Sequence, residues 1–181
     1  MRKIDHVIRT VFLPAVVVSF LLCAGKEGDC LEVRTDSFTE KGPIPMKYTG
    51  MGEDLSPGLF WSDVPEGTAN FAVILYDPDA PMGEWVHWVV YGIPARADRL
   101  EEGLPKTKVL PGGIEQGVNS FGRIGYNGPL PPPGAEHRYI FTLYALDTSP
   151  DVASGADRDI LMKAMEGHII EKTEMSGTFG R

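Results

Sequence analysis

The sequence is short of cysteine, of positive charge and of long apolar runs, and each shortage excludes something. Two cysteines, Cys23 and Cys30, stand among 181 residues, too few for a disulfide framework and with no pair spaced for zinc. Seventeen basic residues against 25 acidic ones leave a net charge of −8, so there is no basic stripe for a phosphate backbone and no nucleic-acid partner is expected. The chain also lacks a Gly-rich phosphate loop ending in Gly-Lys-Ser/Thr, a Gly-x-Gly-x-x-Gly, a His-Glu-x-x-His and a Gly-x-Ser-x-Gly. Those negatives weigh against an NTPase, a dehydrogenase, a zincin and an α/β-hydrolase.

The one apolar run runs from Thr10 to Gly25, 16 residues without a charge behind Arg2, Lys3 and Arg9. A spanning helix needs about 20 such residues, whereas a signal-peptide core needs about 7–15. Residues 1–25 are therefore expected to be a cleaved signal peptide ending at Cys23-Ala24-Gly25, with an uncleaved anchor as the alternative. Export to a periplasmic or extracellular location follows from that expectation. Pro14 and the lack of a polar face argue against a buried first helix. The remaining 26–181 would carry a net charge of −10 and Cys30 alone, so an internal disulfide is excluded.

What the chain does have is glycine and proline, 21 and 15 of them, on an otherwise globular composition with 43% hydrophobic residues. The size suits one domain. Short strand patterns alternate with Gly/Pro clusters, so a mostly β architecture with peripheral helices is expected. Leu31–Arg34 alternates, Phe71–Tyr76 is continuously apolar like a central strand, and Trp85–Tyr91 and Tyr139–Leu146 are rich in β-branched and aromatic residues. The tract 127–134, Asn-Gly-Pro-Leu-Pro-Pro-Pro-Gly, can be neither helix nor central strand. Helical spacing of Ile160, Leu161, Ala164, Met165, His168 and Ile169 predicts a helix over Asp157–Lys172, capped by Asp157 or by Ser154. A weaker helical turn is predicted over Ala95–Glu102.

A polar group gathers around two of these strands. Asp77-Pro78-Asp79-Ala80-Pro81 follows the central run, and in extended geometry Asp77 and Asp79 point to one side. A turn in which the aspartates only bond their own backbone is the bland alternative. Strict alternation puts Trp85, His87, Val89 and Tyr91 on one face and Val86, Trp88 and Val90 on the other. His137 opens a further strand after the Gly/Pro tract, with Tyr139 two residues on. Imidazoles and the N–H groups of a Gly-rich loop can hold an anion. Arg138 alternates away from His137 and Tyr139, and an ion pair that holds the loop is the expected role.

The segments Leu55-Ser56-Pro57-Gly58-Leu59-Phe60-Trp61, Asp77-Pro78-Asp79-Ala80-Pro81, His87-Trp88 and Gly128-Pro129…Pro132-Pro133-Gly134…His137-Arg138-Tyr139 resemble the phosphatidylethanolamine-binding protein family. Ala164-Met165-Glu166-Gly167-His168 and Gly177-Thr178-Phe179-Gly180-Arg181 are similar to its prokaryotic, Raf-kinase-inhibitor-like branch. The resemblance covers about residues 30–181. It implies a large antiparallel sheet, a smaller second sheet and peripheral helices. It also implies an anion pocket at Asp77, Asp79, Pro81, His87, Gly128, His137 and Tyr139, with Trp85 and Tyr126 as walls. Two departures are visible: Asp54 stands where an Asn is common, and Leu130 among the prolines alters the usual Gly-Pro spacing.

The leading expectation is therefore non-enzymatic binding of a small phosphorylated or carboxylated ligand, with no catalytic residue, metal or cofactor. The alternative is a protein-interaction module that inhibits a kinase or serine protease, and a homodimer is left open. A metal-dependent hydrolase using two His and two Asp is the third reading. Membrane docking is not supported, because anionic lipid attracts basic surfaces rather than acidic ones.

Overall fold

A computed structural model describes residues 30–181; the amino-terminal apolar run, with the signal peptide expected there, lies outside the described residues. Eight strands and one helix follow in the order β1 (Glu32–Arg34), β2 (Leu59–Ser62), β3 (Asn70–Asp77), β4 (Trp85–Pro94), β5 (Arg99–Leu100), β6 (Glu115–Gln116), β7 (Glu136–Leu146), α1 (Arg158–Met165) and β8 (Ile169–Gly180). They form a five-stranded sheet in the order β6-β4-β3-β7-β8 and a three-stranded sheet in the order β1-β2-β5. Every pairing between them is antiparallel. The continuous apolar run becomes β3 at the centre of the large sheet, where both faces are covered, as a run without polar alternation requires.

The two faces of the large sheet bury different clusters. One face meets the small sheet through Phe71, Val73, Leu75, Trp88, Phe141 and Leu143, packed on Leu59 and Trp61. The other buries Ala72, Ile74, Val89 and Tyr91 under Leu161 and Met165 of α1. At about 25 cal/mol per Å² of apolar surface removed from water, these two layers supply most of the driving force for folding.

Three sequence expectations are corrected. The helix stops at Met165 instead of reaching Lys172, because Gly167 adopts φ 79° and turns the chain into the twelve-residue β8. Asp157 does cap it, its side chain accepting from the Ile160 amide at 2.9 Å. Ala95–Glu102 holds strand β5 rather than a helical turn, with the Trp61 indole donating to the Ala97 carbonyl at 2.8 Å. Lastly, β4 does not alternate strictly. Leu75 faces Trp88 and Tyr76 faces Val86, so His87 is the extra residue of a β-bulge. Val86, Val89 and Tyr91 consequently share the α1 side, while His87 and Trp88 both turn toward the face that carries Tyr139.

Candidate functional site

Where β3 ends and β4 and β7 begin, a cavity of about 320 Å³ opens at the edge of the inner face. Asp77, Pro81, Trp85, His87, His137 and Tyr139 line it, together with Met82, Phe121, Leu130, Pro131 and Pro132. Its inner end is polar and buried, and its rim is apolar and exposed.

The inner end rests on two differently anchored imidazoles. His137 Nδ1 lies 2.7 Å from Asp77 Oδ2, with both side chains almost wholly buried. The second Asp77 oxygen accepts the Asp79 amide at 2.8 Å. His87 Nδ1 lies 2.6 Å from the Asn127 carbonyl. A carbonyl can only accept, so that nitrogen carries the proton, and the carboxylate imposes the same tautomer on His137. Nε2 is thus the nitrogen each ring can offer to the cavity. The His87 ring packs edge-on to Tyr139 and Phe121, at 5.2 and 5.3 Å between centroids. Burial pushes its pKa down, against the opposing pull of the Asn127 carbonyl and the Asp77 charge.

Tyr139 is the unusual member. It is 0% exposed, and its hydroxyl is the only buried side-chain polar atom without a hydrogen-bond partner among the described residues. Burial first, then the Asp77 charge and a weak approach to its carboxylate that falls short of hydrogen-bond geometry, push the phenol well above its ordinary range. It therefore stays an O–H donor, and a buried donor left unsatisfied costs about 1–3 kcal/mol.

The walls are held from behind. Asp54 adopts φ 57°, a left-handed conformation that Asp and Asn tolerate best among side-chain residues. Its Oδ1 accepts the Gly128 amide at 2.6 Å, and its other oxygen pairs with Lys106. An aspartate where an Asn is common is explained by that lysine. Pro129 accepts the Gly50 amide at 2.9 Å, Pro131 accepts Arg181 Nε at 2.5 Å, and the Gly134 amide donates to the Arg181 carbonyl at 2.6 Å. Asn119 fixes the segment bearing Phe121, donating to Gly125 and Asn127 while its Oδ1 accepts the Phe121 and Arg123 amides.

Three expected residues lie elsewhere. Asp79 turns out of the cavity and binds Arg138 through two oxygens, at 2.9 and 2.6 Å, while also accepting the Arg138 amide. It does not share a side with Asp77, because the turn after β3 ends the extended geometry that alternation assumed. Arg138 thus forms the ion pair expected of it. Tyr126 is 1% exposed, packs edge-on to Trp88 and donates to the Tyr48 carbonyl at 2.5 Å, so it is core rather than wall. Gly128 stands behind the wall: a Cβ there would meet the Tyr48 carbonyl oxygen at 2.3 Å. The metal-hydrolase reading needed both aspartates and both histidines on one ion. Asp77 and Asp79 diverge, and no group of three or more His, Cys, Asp or Glu is disposed to hold a metal among the described residues.

Sequence reasoning missed Met82, Phe121, Leu130, Pro131 and Pro132 as lining. Loop residues have no periodicity to betray their direction; a large apolar residue, Met82, in a loop otherwise of aspartate, proline, glycine, alanine and glutamate was the one available signal.

Residues 34–180 match the family model described as phosphatidylethanolamine-binding protein. A UPF0098 protein of Methanothermobacter thermautotrophicus is 44% identical over 151 residues, covering 83% of this chain and 99% of that protein. Another, from Aquifex aeolicus, is 44% identical over 172 residues, covering 93% and 99%. Among solved structures, a phosphatidylethanolamine-binding protein homologue from Chlamydia trachomatis superimposes with a TM-score of 0.76 at 37% identity, covering 84% of this chain and 99% of that one. YbcL of E. coli, described as a member of the mammalian family, gives 0.77 at 33% identity, covering 83% and 98%. With the family model, these relatives and the solved structures in agreement, the chain belongs to the phosphatidylethanolamine-binding protein family.

Proposed function

We propose that the chain is a non-enzymatic binding module that holds a small phosphorylated or carboxylated anion against His87, His137 and Tyr139. The observation that carries this reading is the buried, unpartnered Tyr139 hydroxyl at the inner end of the cavity. A donor in that position lacks an acceptor, and an oxyanion supplies one. The two Nε2 atoms are the other available donors when protonated. Attack by a side-chain hydroxyl would need one that is activated near neutral pH. The only hydroxyl inside the pocket is a phenol held far above that range.

Titration calorimetry with inorganic phosphate and phosphoethanolamine tests the reading. Saturable binding that is lost in a His87→Ala, His137→Ala double variant is the expected result. No heat at millimolar ligand, or unchanged binding in the variant, rejects it.

A kinase or protease partner is favoured by one feature, the exposed apolar rim of Met82, Phe121 and Leu130. Such a partner would place an anionic side chain where the small ligand sits.

A further inference from the structure

The cavity has a charge problem that its shape does not reveal. Its lining contains no lysine and no arginine, and its one formally charged side chain is the Asp77 carboxylate. The cations of the surrounding segments face other partners: Lys106 pairs with Asp54, Arg138 with Asp79, and Arg181 donates through Nε to the Pro131 carbonyl. An anion entering with both imidazoles neutral would face a pocket whose one charge is negative and whose other walls are largely apolar. That arrangement is unfavourable by any estimate of interior electrostatics.

The way out is built into His87. The Asn127 carbonyl holds the proton on Nδ1, so a second proton can reside only on Nε2, the nitrogen left for the cavity. The groups facing this ring are Asp77 from β3, Asp54 from the loop behind Gly128, and Tyr139 and His137 from β7. None of them is a cation that would oppose charging the ring, apart from His137, which shares its Nδ1 proton with Asp77. Burial of the ring disfavours its charged form. An anion within hydrogen-bond distance of Nε2 reverses that balance.

Resting on the anion-binding reading above, we propose that the pocket takes up its ligand together with a proton, which binds to Nε2 of His87. Ligand capture is then coupled to acidity. By linkage, affinity falls about tenfold for each unit of pH above the range in which free His87 is charged. Tight holding at mildly acid pH and release at mildly alkaline pH are the consequence.

The test uses glycerophosphoethanolamine, whose phosphodiester does not itself titrate between about pH 5.5 and 8.5, the span in which imidazole changes charge. Calorimetry in two buffers of different ionisation enthalpy reads the protons bound with the ligand. Uptake approaching one proton between the free and ligand-bound midpoints of His87 is expected. In a His87→Gln variant, uptake falls toward zero while weak binding persists. Because that variant also alters packing, NMR titration of the His87 ring in the unaltered protein gives a second reading. Saturating ligand should raise the ring's midpoint. Binding of constant affinity across this range, or an unmoved His87 midpoint, overturns the proton coupling and leaves the anion-binding reading intact. No binding at any pH overturns the anion-binding reading itself, and the coupling with it.

Discussion

The two ends of the cavity are built on opposite plans. The inner end comes from strand termini, is polar, and gives nearly every atom a single partner: Asp77 to His137, His87 to Asn127. The rim comes from loops, is apolar, and leaves Met82, Phe121 and Leu130 open to solvent. The inner end is rigid through directional bonds in a dry setting, where each bond is worth more and each omission costs more. The rim is rigid through proline and through backbone ties made behind it. Side-chain changes should therefore be costly at one end and cheap at the other, and three substitutions examine that contrast.

The largest effect belongs to the Asp77 carboxylate. Asp77→Ala leaves the His137 Nδ1–H and the Asp79 amide without their acceptor. Removing one member of a buried pair costs roughly 3 kcal/mol, which urea denaturation would register as a lower midpoint at unchanged slope. A loss well below about 1 kcal/mol would mean that water reaches the inner end, and the contrast between the two ends would fail.

Tyr139→Phe should do the reverse of Asp77→Ala. Its hydroxyl makes only a weak approach to Asp77 and no hydrogen bond of good geometry, so stability should hold or rise slightly, because a buried unsatisfied donor is removed. Anion affinity should drop about tenfold, the worth of one hydrogen bond to a charged acceptor. Equal affinity in the two proteins would show that the hydroxyl does not meet the ligand. Lost stability would show that it has a partner in the folded chain.

How much of this was legible beforehand follows the same division. The strands were readable because burial imposes a period on them: β3 as a continuous apolar run, and β7 through its aromatic and β-branched residues. The motifs brought Asp77, His87, His137 and Tyr139 to attention. Period failed wherever one residue broke it. The bulge at His87 moved Trp88 to the same face, and Gly167 ended a helical pattern that Ile169 seemed to continue. The rim had no period to read. Tyr126 and Gly128 sit beside pocket residues in sequence, yet their places were decided by a long-range partner, the backbone at Tyr48.

The smallest effect belongs to Asp79, which sequence alternation placed beside Asp77 and the structure places outside the cavity. Its two oxygens grip Arg138, whose side-chain hydrogen bonds first, and whose charge after them, hold the Asp79 carboxyl down at about 2 against the opposing effect of burial, from its ordinary 3.8. A carboxyl depressed in the folded state stabilises that state above the unfolded value and loses the contribution as pH falls through the folded one. The gap in stability between the protein and Asp79→Asn should therefore be full above about pH 5 and close as pH falls toward about 2. Exposed pairs are screened by water and salt, so even the full gap should be far smaller than that of Asp77→Ala. Denaturation midpoints measured across that range check both features. A gap that persists undiminished at the acid end would mean that Asp79 acts through the shape of the turn and not through its charge. The outer carboxylate would then belong, with Asp77, to the bond-built inner end.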